Sequence, residues 1–267
     1  MLTFPHIDPV VLHIGPLAVR WYGLMYVLGT LVAWWLARRR AQAGGRGWNA
    51  RQVDDLIVFS LLGVILGARL GYVLFYDLAF YLESPAQMLK LWQGGMSFHG
   101  GLIGVLVAMA WVARRNGHTF WQTVDMVAPL VPPGLFFGRI GNFINAELYG
   151  RITESPLGMI FPGAGPLPRH PSQLYEAFFE GIILFIVLWY FSFRKRPGGA
   201  VSAVFAIGYG LCRFFVEFFR QPDAHLGPVA FNWLTMGQIL CLPLIVSGIL
   251  VLLYVYRSSN IKQEKKR

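Results

Sequence analysis

Seven long apolar stretches constrain the fold of this chain more than any other feature of its sequence. Each contains about 17–23 residues, and a helix of that length crosses the roughly 30 Å hydrocarbon core of a bilayer. Only 13% of the residues are charged, whereas a soluble globular domain carries about 25%. The sequence therefore predicts an all-α integral membrane protein with seven transmembrane helices, forming a single polytopic domain over residues 1–267. The stretches lie at Leu17–Ala37, Asp54–Tyr76, Ser97–Ala113, Trp121–Phe137, Leu174–Phe193, Ala200–Phe219 and Thr235–Tyr256.

The fourth stretch is the least regular of the seven, because Pro129, Pro132 and Pro133 interrupt it. Proline removes a backbone donor and breaks the interior of a helix. At membrane depth such a break is tolerated only where protein or a water-filled cavity satisfies the freed backbone groups. We therefore expect protein or a polar cavity beside this helix.

The basic residues are distributed unevenly between alternate connections. Fifteen of the 23 Lys and Arg residues follow the first, third, fifth and seventh stretches, against four in the opposite connections. Cytoplasmic connections carry an excess of Lys and Arg, so the pattern predicts a periplasmic N-terminus and a cytoplasmic C-terminus. It also accounts for the net charge of +10 without nucleic acid as a partner. The fifteen are Arg38, Arg39, Arg40, Arg46, Arg51, Arg114, Arg115, Arg194, Lys195, Arg196, Arg257, Lys262, Lys265, Lys266 and Arg267.

The longest connection on the opposite side covers residues 141–173 and is rich in Gly and Pro. Under the predicted topology it lies outside the cytoplasm. We expect it to form a small periplasmic cap.

Polar residues from six of the predicted helices fall at one depth, near the outer surface of the bilayer. All four cations in or beside the spans are arginines, and none is lysine. A guanidinium binds phosphate through two parallel hydrogen bonds. This coincidence predicts a polar cavity that opens toward the outer leaflet and suits a phospholipid head group. The residues are Arg20, Tyr22, Arg69, His99, Arg139, Asn142, Asn145, Glu176, Glu180, Arg213 and Glu217.

A purely structural alternative exists for these charges. Arg213 and Glu217 are four residues apart, so they face the same side of a helix and can form an ion pair. The acidic side chains in the spans also mean that the charge count alone does not demand an anionic ligand. Snorkelling to the interface is an alternative for Arg20 and Arg69.

Other chemistries find little support in the sequence. The six His residues show no metal-ligand spacing, so neither a metal nor another cofactor is expected. Cys212 and Cys241 lie inside apolar stretches, where a free Cys usually serves as a small packing residue. A reactive thiol would therefore arrive with the substrate.

Several motifs combine glycine with polar residues and run almost from one end of the chain to the other. They are GRIGNFINAELYG at 138–150, HGGLIG at 99–104, RHPSQLYE at 169–176, WYGLMY at 21–26, GYGLCRFFVEFFRQPD at 208–223 and MGQIL at 236–240. Through these motifs the sequence resembles the bacterial phosphatidylglycerol–prolipoprotein diacylglyceryl transferases.

The resemblance implies a reaction and its partners. A diacylglyceryl group passes from phosphatidylglycerol to the lipobox cysteine of a prolipoprotein signal peptide, a thioether forms, and glycerol phosphate is released. No cofactor is implied. The enzyme would act among the lipids of the bacterial inner membrane, on its periplasmic side.

The resemblance also implies roles for individual residues. His99, Arg139, Arg213 and Glu217 would be catalytic, although whether His99 or another group is the general base stays open. Phosphatidylglycerol would be bound by Tyr22, Arg139, Asn142, Asn145, Glu147, Gly150, Tyr209 and Arg213.

A lipid transporter or flippase would share an arginine-lined cavity and basic cytoplasmic connections. Many such folds contain repeated halves with broken helices in matching positions. Here only the fourth stretch is broken by proline, and no half-repeat is visible. The sequence therefore favours the transferase over this alternative.

Overall fold

A computed structural model describes residues 2–5, 7–15, 17–43, 47–222, 227–231 and 233–264. Each of the seven apolar stretches contains helix, so the prediction of a mainly helical protein is confirmed. Arg46, Lys265, Lys266 and Arg267, on which the charge argument draws, lie outside the described residues.

The helices and strands are numbered here in chain order. They are β1 (Leu2–Thr3), β2 (Val10–Ile14), β3 (Leu17–Arg20), α1 (Trp21–Gln42), α2 (Ala50–Phe75), α3 (Leu78–Glu83), α4 (Phe98–Arg115), α5 (Phe120–Val127), α6 (Val131–Ile144), β4 (Met159–Ile160), α7 (Ser172–Glu176), α8 (Leu184–Phe191), α9 (Ala200–Val216), β5 (Pro228–Ala230), β6 (Leu234–Thr235) and α10 (Met236–Glu264).

Three helical segments among the described residues are by themselves long and apolar enough to cross a membrane. They are Ala50–Phe75, Ser172–Phe191 and Met236–Asn260, and α9 is apolar but shorter. Large apolar side chains such as Leu66, which is 60% exposed, lie on the surface of these helices. A broad exposed apolar surface marks a site of membrane interaction. The fold is that of an α-helical membrane protein, while the count of seven spans stays a prediction.

The first helix begins later than the sequence predicted. Residues 17–20 form β3, which pairs with β2 in an antiparallel hairpin that turns at Gly15, where φ is +59°. Arg20 pairs with Val10 as the last residue of β3. The expectation that Arg20 starts the first helix is therefore wrong, because strand pairing holds the backbone extended up to Trp21.

The prolines of the fourth stretch divide it as predicted. α5 ends at Val127, a single 3-10 turn covers Ala128–Leu130, and α6 begins at Val131. Pro132 and Pro133 lie in the first turn of α6. Backbone N–H groups of the first turn have no acceptor within the helix, so proline costs no helical hydrogen bond there. Val127, Leu130 and Val131 keep right-handed helical dihedral angles, so the chain passes from α5 to α6 through this one 3-10 turn.

The connection between α6 and α7 is largely non-helical and carries β4, which pairs in parallel with β1. Phe4, Met159 and Phe161 form a buried apolar cluster under this pairing. The segment is thus a folded unit in contact with the N-terminal strands. Its periplasmic location stays a prediction.

The described chain forms two compact units, one of residues up to Leu36 together with those from Asp125 onward, and one of Ala37–Val124. In the second unit α2 and α4 pack backbone to backbone through glycine. A Cβ atom built on Gly67 would lie 2.8 Å from the Cα atom of Gly104, and one on Gly71 would lie 2.7 Å from that of Gly100. Small residues four apart permit this close approach between membrane helices.

The first unit contains α9, whose N-terminus is held by Asp125 of α5. The Asp125 carboxylate accepts hydrogen bonds from the backbone N–H groups of Gly199 (2.7 Å) and Ser202 (2.8 Å). A carboxylate at this end of a helix satisfies unpaired N–H groups and complements the helix dipole. The contact anchors α9 at its N-terminal end, opposite the end that carries Arg213.

Between α7 and α8 the backbone forms a π-helix over Ala177–Ile183, which the sequence analysis did not predict. A Cβ atom on Gly181 would lie 2.7 Å from the Cβ atom of Phe136, so α6 packs directly on this segment. π-helical turns are rare in proteins, and those that do occur are often found at functional sites. The segment carries Glu180 and directly follows Glu176.

The glycine contact between α2 and α4 generates a stability prediction. Gly67→Ala should destabilise the protein by about 1–3 kcal/mol, since the new methyl group overpacks a backbone contact, although alanine is the better helix former. The measurement is thermal unfolding in detergent. Gly134→Ala on α6 is the matched control, because nothing lies within 4 Å of its Cβ position. Equal midpoints for the two variants would contradict the packing argument.

Candidate active site

Six charged side chains from three neighbouring parts of the first unit meet in one buried cluster. α6 supplies one arginine, the α7–π segment supplies two glutamates, and the C-terminal end of α9 supplies the rest. We call these residues the Arg–Glu cluster: Arg139, Glu176, Glu180, Arg213, Glu217 and Arg220.

Glu176 is the centre of the Arg–Glu cluster and is fully buried. Its Oε2 atom lies 2.7 Å from Nε of Arg139 and 2.9 Å from Nη1 of Arg213. Its Oε1 atom lies 3.3 Å from Nε of Arg220. One carboxylate therefore fixes the spacing of all three arginines, which come from α6, from α9 and from the residues that follow α9.

Glu217 stabilises the cluster from the other side. Its Oε2 atom lies 3.2 Å from Nη2 of Arg213 and 3.4 Å from Nη1 of Arg220. The hydroxyl of Thr235 donates to its Oε1 atom over 3.1 Å. A Cβ atom on Gly237 would lie 2.8 Å from the Glu217 carboxyl carbon. The glycine of the MGQIL motif therefore makes room for this carboxylate.

Glu180 has the weakest contacts of the three carboxylates. It is fully buried, yet its oxygens lie 3.6 Å from Arg213 and 3.9 Å from Arg139. Neither oxygen has a hydrogen-bond partner among the described residues. Its charge is supported by proximity to two guanidinium groups alone.

The accessible side of the Arg–Glu cluster is cationic. The side chains of Arg139, Arg213 and Arg220 are 20%, 15% and 16% exposed, whereas Glu176 and Glu180 are not exposed at all. The carboxylates lie behind the guanidinium groups and hold them in place. An anion that approaches the cluster therefore meets N–H donors, although the formal charges of the six groups cancel.

A chain of polar side chains extends from Arg139 along the GRIGNFINAELYG motif. Arg139 donates to Oδ1 of Asn142 over 3.4 Å, and Asn142 donates to Oε1 of Glu147 over 2.8 Å. Asn145 also donates to this oxygen, over 3.4 Å. The chain provides acceptors and amide donors beside the cationic side of the cluster.

The backbone around Glu147 is held in an uncommon conformation. Ala146 and Leu148 have positive φ angles of 54° and 57°, which few residues other than glycine adopt. The Gln173 side chain donates to the Glu147 carbonyl over 2.6 Å, and the Ser172 hydroxyl donates to the Leu148 carbonyl over 3.0 Å. The start of α7 therefore fixes the loop that carries Glu147.

Two tyrosines of α1 border the same region. The hydroxyls of Tyr22 and Tyr26 lie 3.0 Å apart, and the Tyr26 hydroxyl lies within electrostatic range of Arg139 and Glu147. α1 approaches α6 closely because Gly141 has no side chain, and a Cβ atom there would lie 3.0 Å from the Tyr22 ring. The sequence analysis identified Tyr22 but missed Tyr26.

Gly150 has a packing role in the connection between α6 and α7. Its N–H donates to the His170 carbonyl over 2.8 Å, and a Cβ atom would collide with the Phe219 carbonyl. The His170 ring packs against Phe219 and lies 3.2 Å from the Tyr175 hydroxyl. Burial lowers the pKa of His170, so its ring is neutral at pH 7. Lipid binding by Gly150 stays a prediction.

The remaining predicted site residues, Tyr209 and His99, belong to different compact units. Tyr209 lies one turn before Arg213 on α9, stacks on Phe205, and is within electrostatic range of the Arg–Glu cluster. His99 is exposed at the start of α4, in the other compact unit. Its catalytic role therefore stays a prediction.

Arg69 has a structural role, although the sequence analysis assigned it to the polar cavity. Its guanidinium donates to backbone carbonyls of the segment that follows α3, among them those of Gln87 (2.7 Å) and Met88 (3.0 Å), and lies over the Tyr81 ring. A guanidinium engaged in this way holds a connection in place. No local pattern indicates this role, because the carbonyls are 18 or more residues away from Arg69.

Glu176, Glu180 and Arg220 are the cluster residues that the predicted site omitted. The first two were identified only as polar residues at the right depth, and Arg220 was counted as a connection residue. Glu176 and Glu180 are too far from Arg139 and Arg213 in sequence for any helical pairing rule, whereas Arg220 follows Glu217 by three residues. Within the described residues no group of His, Cys, Asp and Glu side chains is arranged to hold a metal ion.

Fold and site together define an α-helical membrane protein with a buried ion cluster whose accessible side is cationic. Residues 9–254 match the model of a family described as prolipoprotein diacylglyceryl transferase. The chain belongs to the prolipoprotein diacylglyceryl transferase family, as the motifs predicted.

Individual relatives agree with this assignment along nearly the whole chain. A phosphatidylglycerol–prolipoprotein diacylglyceryl transferase of Nitratidesulfovibrio vulgaris is 62% identical over 94% of this chain and 96% of its own length. Proteins of the same name from Coxiella burnetii and Photobacterium profundum are 58% and 55% identical, each over 96% of this chain and over 98% and 96% of their own lengths.

The contact between Thr235 and Glu217 generates a stability prediction. Thr235→Val should lower the free energy of unfolding by about 1.5–3 kcal/mol, because a buried carboxylate loses a hydrogen bond and the new side chain offers no donor. Thr235→Ser keeps the hydroxyl and is the matched control. The measurement is unfolding in detergent, and equal stability of the two variants would contradict the role of the hydroxyl.

Proposed function

We propose that this chain transfers the diacylglyceryl group of phosphatidylglycerol to the lipobox cysteine of prolipoprotein signal peptides. Membership of the family and the names of the relatives support the reaction. The structural observation that carries the proposal is the cationic side of the Arg–Glu cluster, because an anionic phosphate needs such donors in apolar surroundings.

The reaction requires three changes at the bound substrates. The cysteine sulfur attacks the diacylglyceryl carbon that is bonded to a phosphate oxygen. A C–S bond forms, the C–O bond breaks, and glycerol phosphate leaves with its electron pair. The thiol proton passes to a base.

Arg139 and Arg213 are suited to stabilise the leaving phosphate. Preorganised donors stabilise charge that develops in the transition state without any reorganisation of solvent. Glu176 holds both guanidinium groups in place through contacts of 2.7 and 2.9 Å. Glu217 acts as a positioning residue for Arg213. Arg220 contacts both Glu176 and Glu217 and is not assigned to the phosphate.

The polar chain beside Arg139 is suited to the glycerol of the head group. A glycerol carries two hydroxyls that both donate and accept, and Asn142, Asn145 and Glu147 offer matching amide and carboxylate groups. The Tyr22 hydroxyl borders this region. Tyr209 and Gly150 complete the proposed head-group site, with Gly150 acting through the fold of the connection.

The thiol has to lose its proton before or during attack. A free thiol has a pKa near 8.5, so the thiolate costs about 2 kcal/mol at pH 7. A neutral imidazole at His99 is a suitable base. Whether His99 or another group takes the proton is open to test by the variants described below.

We also propose that the enzyme spans the bacterial inner membrane seven times, with a periplasmic N-terminus and the site on the periplasmic side. The uneven distribution of basic residues supports this orientation. Prolipoproteins would reach such a site by lateral diffusion within the membrane.

The activity is tested with the purified protein, phosphatidylglycerol and a lipobox peptide in detergent. Mass spectrometry should show the peptide with one added diacylglyceryl group, and a peptide with Ser in place of the cysteine should show none. Lipid movement across vesicles without adduct formation would favour a flippase and contradict the proposal.

His99→Ala tests the base, since a rate lost at pH 7 and recovered at high pH indicates that proton removal is impaired.

Arg139→Lys and Arg213→Lys should each lower the transfer rate by about 10²–10³-fold, the effect of removing one oxyanion donor. Lysine keeps the charge but cannot form two parallel hydrogen bonds. The measurement is the rate at saturating lipid and peptide, after unfolding in detergent has shown that the variants fold. Arg194→Lys is the control, because Arg194 is exposed in the connection after α8. Near-normal rates in both variants would make the arginines structural.

The proposed orientation predicts the behaviour of reporter fusions. A reporter that is active only in the cytoplasm should function when fused to the C-terminus. The same reporter should fail when inserted near Ala164, in the proposed cap. The opposite pattern would exclude a site on the periplasmic side.

A further inference from the structure

The Arg–Glu cluster is balanced in charge before any lipid binds. It contains three guanidinium groups and three carboxylates, so its formal charge is zero. A phosphodiester carries one negative charge, and its arrival leaves the site with a net negative charge. A buried charge without compensation is costly. Uptake of one proton by a carboxylate restores the balance.

Two of the three carboxylates keep close partners when phosphate binds. Glu176 retains Arg220 at 3.3 Å, and Glu217 retains both Arg220 at 3.4 Å and the Thr235 hydroxyl at 3.1 Å. These contacts do not depend on the two arginines assigned to the phosphate. Both carboxylates therefore keep stabilising partners throughout.

Glu180 differs from them in this respect. The cations nearest to it are Arg213 at 3.6 Å and Arg139 at 3.9 Å. These are the two guanidinium groups proposed to donate to phosphate. Neither Glu180 oxygen accepts a hydrogen bond from another described residue. The carboxylate therefore has to share the compensation of both cations with the phosphate when the lipid binds.

Among the residues that the structure describes, the surroundings of Glu180 offer no further cation. Gly181 packs against Phe136 on one side of the π-helical segment, so this part of the chain has little room to move. The titratable and charged groups that face Glu180 come from its own segment and from α6, α9 and α10. They are Glu176, Arg139, Tyr209, Cys212, Arg213 and Cys241.

We propose that Glu180 takes up one proton when phosphatidylglycerol binds to the Arg–Glu cluster, an inference that rests on the proposed function of the site. The proton comes from solvent and binds to a carboxylate oxygen, and no other bond forms or breaks. Glu180 thus adapts a neutral cluster to an anionic substrate and returns the proton when glycerol phosphate leaves.

Proton uptake by Glu180 predicts the direction in which the affinity for phosphatidylglycerol changes with pH. Because the bound state holds one more proton, affinity for phosphatidylglycerol falls as pH rises. The fall is about tenfold per pH unit wherever the free cluster is unprotonated and the bound cluster is protonated. Glu180→Gln is neutral at every pH, so its affinity should not depend on pH in this way.

The experiment is titration calorimetry of the whole protein in detergent with phosphatidylglycerol micelles. Measurements at one pH above neutrality, where the free cluster is unprotonated, in two buffers of different ionisation enthalpy give the number of protons taken up. The wild type should take up about one proton per lipid, and Glu180→Gln should take up none. Glu154→Gln, which alters an exposed carboxylate of the same unit, should behave as the wild type. Diacylglycerol lacks phosphate and should cause no uptake.

The possible results distinguish failure of the proposed function from failure of the proposed role of Glu180. Failure of the wild type to bind phosphatidylglycerol contradicts the proposed function itself. Binding without proton uptake, or full uptake by Glu180→Gln, overturns the role of Glu180 alone. If Glu180→Gln does not fold, infrared difference spectra of the wild type and Glu180→Asp keep the test open. Lipid should add a protonated carboxylic acid band that shifts between the two proteins, and its absence overturns the proposal.

Discussion

The Glu176 carboxylate contacts all three arginines of the candidate site, and the rest of the site depends on it. Its two oxygens lie between 2.7 and 3.3 Å from Arg139, Arg213 and Arg220. These arginines come from α6 and from the end of α9, so one acidic side chain ties two helical segments together. Loss of one partner from a buried ion pair typically costs about 3–5 kcal/mol, because the other charge remains buried. The position of this carboxylate is therefore a constraint on the whole unit.

The order of the charges from inside to outside decides what the cluster can do. The glutamates are buried and the arginines retain 15–20% of their side-chain exposure. Had the order been reversed, the same residues would repel a phosphate. The fixed supports behind the arginines, including Thr235 and the gap at Gly237, let guanidinium groups stay oriented without a bound anion. Such preorganisation is what transition-state stabilisation requires.

Local patterns predicted a large part of this protein. Apolar stretches predicted the helices, the three prolines predicted the break between α5 and α6, and the four-residue spacing predicted the contact of Arg213 with Glu217. A role was predicted for His99 of the HGGLIG motif, but the packing of α4 against α2 through Gly100 and Gly104 of the same motif was not. The strands before Trp21 and the π-helix were missed. β1 pairs with the distant β4, β3 lies in the stretch that was assigned to the first helix, and the π-helix packs against α6.

The sequence by itself determined that the chain is a membrane protein of the prolipoprotein diacylglyceryl transferase family, because composition, length of apolar runs and motifs are local properties. It also predicted that the polar residues lie at one depth. Only the tertiary structure decided which of them meet. The Arg69 guanidinium donates its hydrogen bonds to backbone carbonyls. Arg139 and Arg213 instead contact the same oxygen of Glu176. Residues at equal depth on different helices are separated by their rotation about each helix axis. That rotation is set by packing at contacts such as those of Gly141 and Gly181, and no sequence spacing encodes it.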